Sequence, residues 1–172
     1  MHTDIIHGDI KPQNVLIFMD ATGKTTVKVA DFGYSTLAAG DAKNICLPKS
    51  RPWNAPEHHF GEFTTHDAKQ TDVYSFGMLG LWVVSGGAPI LQNNTEYTFA
   101  ASTGSCTMLE QLKYDDKLKQ LANQLIDTIP PAEINAEHRN RLKEFFSLAV
   151  PLNPAKRTSD LTRLMSLLRR EQ

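Results

Sequence analysis

The sequence predicts an α+β fold that is mostly α-helical, and three features support this prediction. Residues 71–84 are apolar nearly all round, a pattern typical of a helix buried in the centre of a domain. Apolar residues recur at helical spacing in three later segments, which are 118–125, 142–149 and 161–168. Strand-like runs lie near the start of the chain. We therefore expect a helical domain with a small β component at its beginning.

Length, composition and charge are typical of one soluble globular domain over residues 1–172. Apolar residues make up 41% and charged residues 22% of the chain, and the formal net charge is −1. This balance predicts neither nucleic-acid binding nor attachment to an anionic membrane. Cys46 and Cys106 are the only cysteines, and two isolated cysteines indicate free thiols in a reducing compartment. Because the start shows no secretory signal, we expect a cytoplasmic protein.

A β-hairpin is predicted in the first part of the chain. Ile5-Ile6 reads as a short strand, and the continuous apolar run 15–18 predicts a buried strand. Residues 20–23 have the composition of a turn, and residues 26–30 alternate as the returning strand. Segment 34–54 shows neither a helical nor a strand periodicity and is predicted to be a long loop. A loop of this length in a compact domain is usually functional or disordered.

The stretch between the first two strands combines a carboxylate, an ammonium and a carboxamide. These groups belong to Asp9, Lys11 and Asn14. Phosphoryl transfer needs such a set: a carboxylate that takes a hydroxyl proton, a cation near the moving phosphoryl, and a neutral oxygen ligand for Mg²⁺. A second carboxylate, Asp31, directly follows the returning strand and is well placed to hold Mg²⁺ against nucleotide phosphates. The alternative for the stretch that contains Asp9, Lys11 and Asn14 is a polar turn before a buried strand.

The stretch 7–14 closely resembles the catalytic loop of eukaryotic protein kinases, and its sequence is His7-Gly8-Asp9-Ile10-Lys11-Pro12-Gln13-Asn14. A lysine two residues after the aspartate is the pattern of the serine/threonine-type kinases. Four further kinase motifs follow in the family's order. Asp31-Phe32-Gly33 resembles the metal-binding triplet, and Ala55-Pro56-Glu57 resembles the end of the activation segment. Residues 71–84 resemble the central buried helix, and residues 153–157 resemble the late Asn-Pro-x-x-Arg motif. The resemblance predicts a protein kinase domain over 1–172 with an activation segment at 31–57.

The resemblance implies catalytic and cofactor-binding roles for four side chains. Asp9 would orient the substrate hydroxyl and accept its proton. Lys11 would bind and neutralise the γ-phosphoryl group of ATP, and Asn14 and Asp31 would hold Mg²⁺. The implied cofactors are ATP and Mg²⁺, and the implied partner is a protein substrate.

The resemblance also implies structural support from seven residues: His7, Phe32, Gly33, Ser50, Glu57, Asp72 and Arg157. Ser50 would bond to the catalytic aspartate and lysine. Asp72 would bond the backbone of the catalytic loop, the alternative being a simple N-terminal helix residue favoured by the helix dipole. Glu57 would pair with Arg157, whose alternative is a solvated charge before a helix.

The resemblance covers only the large, mostly helical C-terminal lobe of a kinase. The sequence has no Gly-x-Gly-x-x-Gly stretch and no strand with a nucleotide-anchoring lysine before Asp9. We therefore expect the small β-lobe to be absent and the chain to be a fragment or a truncation that transfers phosphate poorly or not at all by itself. Apolar surface on Val15, Ile17 and the central helix would then be exposed, which favours aggregation.

Two other functions stay open. A pseudokinase or decoy, which uses the helical lobe to hold a partner, would explain the absence of a small lobe. A small-molecule kinase of the aminoglycoside or choline type would share His7-Gly8-Asp9 and Asn14. It would not explain Lys11-Pro12, the triplet 55–57 or the helix that carries Asp72.

Gly8 stands where most kinases of this family carry an arginine. That arginine lies in a basic pocket that a phosphorylated activation loop neutralises. Glycine therefore predicts either that activation-loop phosphorylation is not needed or only that the backbone turns tightly here. His58, His59 and His66 match no standard set of metal ligands, and we expect them in a solvated loop.

Overall fold

The computed structural model describes residues 5–37, 45–87 and 108–169, which belong to two compact units, Met1–Leu79 and Gly80–Gln172. The first unit contains the four strands β1 (Ile5–Ile6), β2 (Val15–Met19), β3 (Thr25–Val29) and β4 (Thr36–Leu37). The later part of the chain contains the five helices α1 (Thr65–Val84), α2 (Met108–Tyr114), α3 (Leu118–Thr128), α4 (Ala136–Ala149) and α5 (Leu161–Leu168). The predicted mostly helical α+β fold is confirmed.

The predicted hairpin is present, with β2 and β3 antiparallel and Ile17 opposite Val27. Its turn is fixed by the Asp20 carboxylate, which accepts hydrogen bonds from the backbone N–H groups of Thr22 at 2.9 Å and Lys24 at 3.0 Å. This is the arrangement in which an aspartate side chain replaces a backbone acceptor in a turn. The turn composition of residues 20–23 was thus a reliable signal.

The burial predicted for residues 15–18 is wrong. Ile17 is 72% exposed and Phe18 48% exposed, on opposite faces of the hairpin. A two-stranded ribbon covers neither of its own faces, so its apolar side chains stay in solvent unless another element packs on them. The exposure that we expected for Ile17 is therefore confirmed.

The core of the first unit forms around strand β1, which pairs with β4. Ile6, Ile45, Phe63 and Ala68 are buried together, and Leu47 packs against them. Backbone hydrogen bonds join Ile45 and Phe63 in both directions, at 3.0 and 3.2 Å. The prediction of an uninterrupted loop over 34–54 is therefore wrong at β4 and at this bridge, while residues 38–44 lie outside the described residues.

Helix α1 begins at Thr65 rather than at residue 71 as predicted. The Thr64 hydroxyl oxygen lies 3.2 Å from the backbone nitrogen of Asp67, whose N–H donates to it, and the hydroxyl donates to the Asp67 carboxylate at 2.7 Å. A threonine followed three residues later by an acidic residue is a known signature of a helix start, and here it was overlooked. As predicted, Tyr74 and Met78 in the centre of the helix are fully buried.

In the second unit α4 packs against both α3 and α5. Its Phe145 and Phe146 are buried, with ring centroids 5.1 Å apart in an edge-to-face arrangement. Asn135 caps α4 by accepting a hydrogen bond from the backbone N–H of His138 at 2.8 Å. The three helices predicted from apolar spacing are confirmed. Helix α2 was not predicted, and the loop expected at 88–107 lies outside the described residues.

Among the helices that the structure describes, none is both long and apolar enough to cross a membrane.

Candidate active site

The backbone of the loop 7–14 is held by Asp72 from helix α1. The N–H of His7 donates to Asp72 Oδ2 at 2.6 Å, and the N–H of Gly8 donates to Oδ1 at 2.9 Å. Burial raises the pKa of the Asp72 carboxyl, and these two hydrogen bonds partly oppose that effect. The helix dipole favours acidic residues only in the first turn of a helix. Because α1 begins at Thr65, Asp72 lies beyond that turn, and the alternative explanation by the helix dipole is wrong.

The imidazole of His7 joins the loop to the end of the hairpin. Its Nδ1 accepts a hydrogen bond from the backbone N–H of Asp9 at 3.2 Å, and its Nε2 lies 3.0 Å from the carbonyl oxygen of Ala30. Because Nδ1 accepts, Nε2 carries the hydrogen and donates to Ala30. The ring also lies 5.0 Å from the Phe32 ring, in a tilted arrangement. His7 thereby holds Asp9 close to the segment that carries Asp31.

The two oxygens of the Asp9 carboxylate have different surroundings. Oδ2 accepts hydrogen bonds from Lys11 Nζ at 2.6 Å and from Asn14 Nδ2 at 3.2 Å. Oδ1 is buried, and no residue within the described ranges donates a hydrogen bond to it. A buried carboxylate oxygen without a donor is costly, so Oδ1 is the oxygen that an incoming hydroxyl group would satisfy.

Asp9 is ionised at neutral pH although its side chain is only 3% exposed. Burial alone would raise the pKa of its carboxyl. Hydrogen bonds from Lys11 and Asn14, the nearby hydroxyl group of Ser50 and the positive charge of Lys11 together outweigh the burial and hold the pKa below the ordinary value of 3.8. The carboxylate is therefore available as an acceptor of protons.

Lys11 and Ser50 meet beside Asp9, as the resemblance led us to expect. Lys11 Nζ lies 3.3 Å from Ser50 Oγ, across 39 positions in sequence. Ser50 begins a hydrogen-bonded turn, since its carbonyl oxygen accepts from the backbone N–H groups of Trp53 at 2.8 Å and Asn54 at 3.1 Å. The contact fixes this turn against the catalytic loop.

The side chains of Asn14 and Asp31 fit the donor set of a magnesium site. Asn14 Nδ2 donates to the backbone oxygen of Asp9 at 2.9 Å as well as to its carboxylate, which leaves the amide oxygen for another partner. The backbone N–H of Ala30 donates to the backbone oxygen of Asn14 at 2.8 Å. Because Asp31 is the next residue after Ala30, this hydrogen bond joins the segments that carry Asn14 and Asp31. Asp31 is exposed and has a φ of 63°.

One carboxylate and one amide oxygen suit Mg²⁺, which usually takes one or two protein ligands and completes its shell with water and phosphate oxygens. Within the described part of the chain, no group of three or more His, Cys, Asp or Glu side chains could hold a metal ion.

Gly8 has a φ of 81°, a backbone conformation that other residues rarely adopt. A Cβ atom at this position would lie 2.9 Å from Leu47 Cδ2 and 3.3 Å from the Tyr34 carbonyl oxygen. The geometry favours the tight backbone turn as the reason for glycine. Independence from activation-loop phosphorylation stays a prediction.

The alternative considered for Arg157 and the expectation for His58 are both wrong. Arg157 is not a solvated charge: it is 5% exposed, and its guanidinium donates to the carbonyl oxygens of Pro151 at 2.9 Å and Leu152 at 3.1 Å. His58 is also buried, with Nδ1 lying 3.1 Å from the carbonyl oxygen of Ala55. The spacing patterns used above gave no signal for the burial of either side chain.

The remaining expectations about these segments differ in outcome. Glu57 and Arg157 belong to different compact units, and their pairing stays a prediction. His66 is exposed, as expected for a solvated residue, while the side chain of His59 lies outside what the structure describes.

Comparison with known proteins gives one family match. Residues 1–169 match the sequence model of the family described as "Protein kinase domain".

Curated relatives include three kinases that match parts of the chain. The chain is 36% identical over 96 residues to Aurora kinase of Candida glabrata, which is 55% of this chain and 25% of that protein. It is 30% identical over 95 residues to serine/threonine-protein kinase A of Synechocystis sp., 54% of this chain and 18% of that protein. It is 31% identical over 110 residues to the human SNF-related serine/threonine-protein kinase, 64% of this chain and 13% of that protein. The matched regions thus span a quarter or less of these relatives.

Proposed function

Because the chain belongs to the protein kinase domain family, we propose that its site serves to transfer the γ-phosphoryl group of Mg-ATP to serine or threonine hydroxyls of protein substrates. The relatives named as serine/threonine kinases support the choice of hydroxyl. Lys11, two residues after Asp9, supports it as well.

The observation that carries the proposal is the asymmetry of the Asp9 carboxylate. Lys11 and Asn14 both donate to Oδ2, while Oδ1 is buried and accepts no hydrogen bond from a described residue. A serine or threonine hydroxyl that donates to Oδ1 is oriented with its oxygen towards the phosphoryl group. As this oxygen bonds to phosphorus and the bond to the leaving ADP breaks, Asp9 takes the hydroxyl proton.

Other residues of the chain complete the proposed site. Asn14 and Asp31 would hold Mg²⁺, which neutralises the charge of the phosphates when it is bound. Lys11 lies 2.6 Å from the carboxylate and provides positive charge where the phosphoryl group would pass. Asp72 and His7 keep the loop backbone and Asp9 in position through the hydrogen bonds described above.

We further propose that these 172 residues transfer phosphate slowly by themselves. The sequence holds no Gly-x-Gly-x-x-Gly stretch that would cover nucleotide phosphates.

A phosphotransfer assay tests the proposal. The chain is incubated with labelled Mg-ATP and a generic protein substrate, beside the variants Asp9→Asn and Glu133→Gln. Glu133 is exposed, so its variant removes the same charge away from the site. We expect transfer well below the roughly 1–100 per second of ordinary kinases. Asp9→Asn should lower this rate by about 100-fold or more, because general base catalysis is lost, and Glu133→Gln should leave it unchanged.

The outcomes separate the parts of the proposal. An unchanged rate in Asp9→Asn contradicts the role of Asp9. Transfer at ordinary kinase rates contradicts slow transfer by the isolated chain. If the unaltered chain transfers no phosphate at all, the proposed reaction fails and the binding module becomes the better interpretation.

A further inference from the structure

The turn at residues 48–54 forms one wall of the site around Asp9. Pro48, Ser50, Trp53 and Asn54 line a small pocket together with Gly8 and Asp9 of the catalytic loop. The contact of 3.3 Å between Lys11 Nζ and Ser50 Oγ fixes the distance between the two segments. A peptide that presents a hydroxyl to Asp9 must therefore pass beside this turn.

Two cationic side chains flank Ser50 directly, namely Lys49 and Arg51. Both are exposed, and neither forms an ion pair with a residue that the structure describes. Their backbone is held in a turn, since the Arg51 N–H donates to the Lys49 carbonyl oxygen at 3.1 Å and the next residue, Pro52, is buried. Within the described part of the chain, the turn that lines the pocket around Asp9 thus carries two positive charges without an ion-pair partner.

We propose that Lys49 and Arg51 select protein substrates with acidic or phosphorylated residues next to the acceptor serine or threonine. This inference rests on the proposed function of the same site. Carboxylate or phosphate groups on a peptide would be attracted to both cations, and the arginine can bind such groups through two parallel hydrogen bonds. Peptides with lysine or arginine at the same places would be repelled. Exposed charges of this kind contribute mainly to specificity and to the rate of association.

Peptide binding without nucleotide tests the inference. Two fluorescent peptides have alanine in place of the acceptor and differ only in the flanking residues, which are acidic in one and basic in the other. Their binding to the full chain is measured by fluorescence anisotropy at low and at physiological salt. We expect about tenfold tighter binding of the acidic peptide at low salt, and a smaller preference at higher salt.

A charge-reversal variant identifies the residues responsible. Lys49→Glu/Arg51→Glu should abolish or reverse the preference. The matched control is Lys24→Glu/Lys119→Glu, which makes the same change in net charge at two exposed lysines outside this turn. The control should keep the preference of the unaltered chain. Circular dichroism shows that both variants are folded to the same extent.

Three results would overturn the inference: equal binding of the two peptides, no binding of either, or the same loss of preference in both double variants. Because the peptides lack an acceptor hydroxyl and no ATP is present, this test does not depend on phosphotransfer. Absence of transfer with a retained acidic preference would overturn the proposed reaction alone. Transfer without a charge preference would overturn only the selection by Lys49 and Arg51.

Discussion

Asp72 and His7 lie 65 positions apart in sequence, and the Asp72 carboxylate accepts the backbone N–H of His7 at 2.6 Å. The second carboxylate oxygen accepts the N–H of Gly8. One side chain of helix α1 thus satisfies two backbone donors just before Asp9. The loop is therefore held in position by helix α1, and the geometry of the site depends on the stability of that helix.

Replacing Asp72 by asparagine should destabilise the chain. The amide oxygen can accept one of the two N–H groups, but the amide nitrogen is a donor and leaves the other unpaired. We expect a loss of about 1–3 kcal/mol in the free energy of unfolding, the cost of one unsatisfied buried donor. Urea unfolding of Asp72→Asn measures it, with Glu62→Gln at an exposed position as the control. Equal midpoints for the two variants would contradict the role given to Asp72.

Replacing Lys11 by methionine should raise the pKa of Asp9. Burial already acts to raise it, and Lys11 supplies both a hydrogen bond and a positive charge that act against burial. Carboxyl carbon shifts followed by NMR from about pH 2 to 6 report this pKa. Lys24→Met, at the exposed end of the hairpin, should leave it unchanged. A pKa of Asp9 that is the same in both variants would show that Lys11 does not set it.

The same shift predicts a dependence of stability on pH. The pKa of Asp9 is lower in the folded chain than the ordinary 3.8, so the folded state favours the ionised carboxylate. Its contribution to stability is therefore present above about pH 3.8 and lost as the pH falls through the folded-state pKa. Unfolding curves at a series of acidic pH values should show that Lys11→Met loses less free energy of unfolding than the unaltered chain as the pH falls. A steeper loss in the variant would contradict the sign.

Alanine at position 8 should be more harmful than alanine at another glycine with the same backbone angle. Gly8 and Gly23 both have a φ of 81°, so each alanine bears the same conformational cost of about 1–2 kcal/mol. A Cβ at Gly8 would lie 2.9 Å from Leu47 Cδ2, whereas nothing lies within 4 Å of one at Gly23. Gly8→Ala should therefore lose about 1–3 kcal/mol more than Gly23→Ala, the usual cost of overpacking.

Thermal unfolding of the two glycine variants makes this comparison. Equal melting temperatures would show that Leu47 moves aside without cost, and the close approach would then not explain the glycine.

The sequence was most informative where structure depends on local spacing. Apolar periodicity located α3, α4 and α5, and turn composition located the hairpin. The start of α1 was missed although Thr64 and Asp67 carried a capping signal, because the long apolar run after residue 71 dominated the interpretation. The burial of β2 was misjudged because an apolar run shows that side chains favour burial but not whether another element covers them.

The site shows a similar division. Asp9, Lys11 and Asn14 were found from their chemistry and spacing, which are local. The approach of Lys11 to Ser50 and of His7 to Asp72 crosses 39 and 65 positions, and only the resemblance to kinases predicted it. The closeness of Leu47 to the place that a Cβ atom at position 8 would occupy was not predicted, since spacing along the chain does not tell which atoms surround a glycine.

Removing the guanidinium of Arg157 should destabilise the second unit. Arg157 is 5% exposed and donates to two backbone carbonyl oxygens, those of Pro151 and Leu152. Arg157→Ala leaves these two acceptors without their charged donor, and hydrogen bonds from charged groups contribute about 1.5–3 kcal/mol each. We expect a loss of at least about 2 kcal/mol in the free energy of unfolding. Lys156→Ala, at the exposed neighbouring position, should change it by less than about 0.5 kcal/mol.

Arg157→Lys tests whether positive charge alone is enough. Lysine keeps the charge, but it lacks the planar guanidinium that reaches Pro151 and Leu152 through two different nitrogens. If the carbonyl contacts matter, Arg157→Lys should lose most of what Arg157→Ala loses in urea unfolding. Full stability of Arg157→Lys would instead show that charge, rather than the two-point contact with the backbone after helix α4, is what this position supplies.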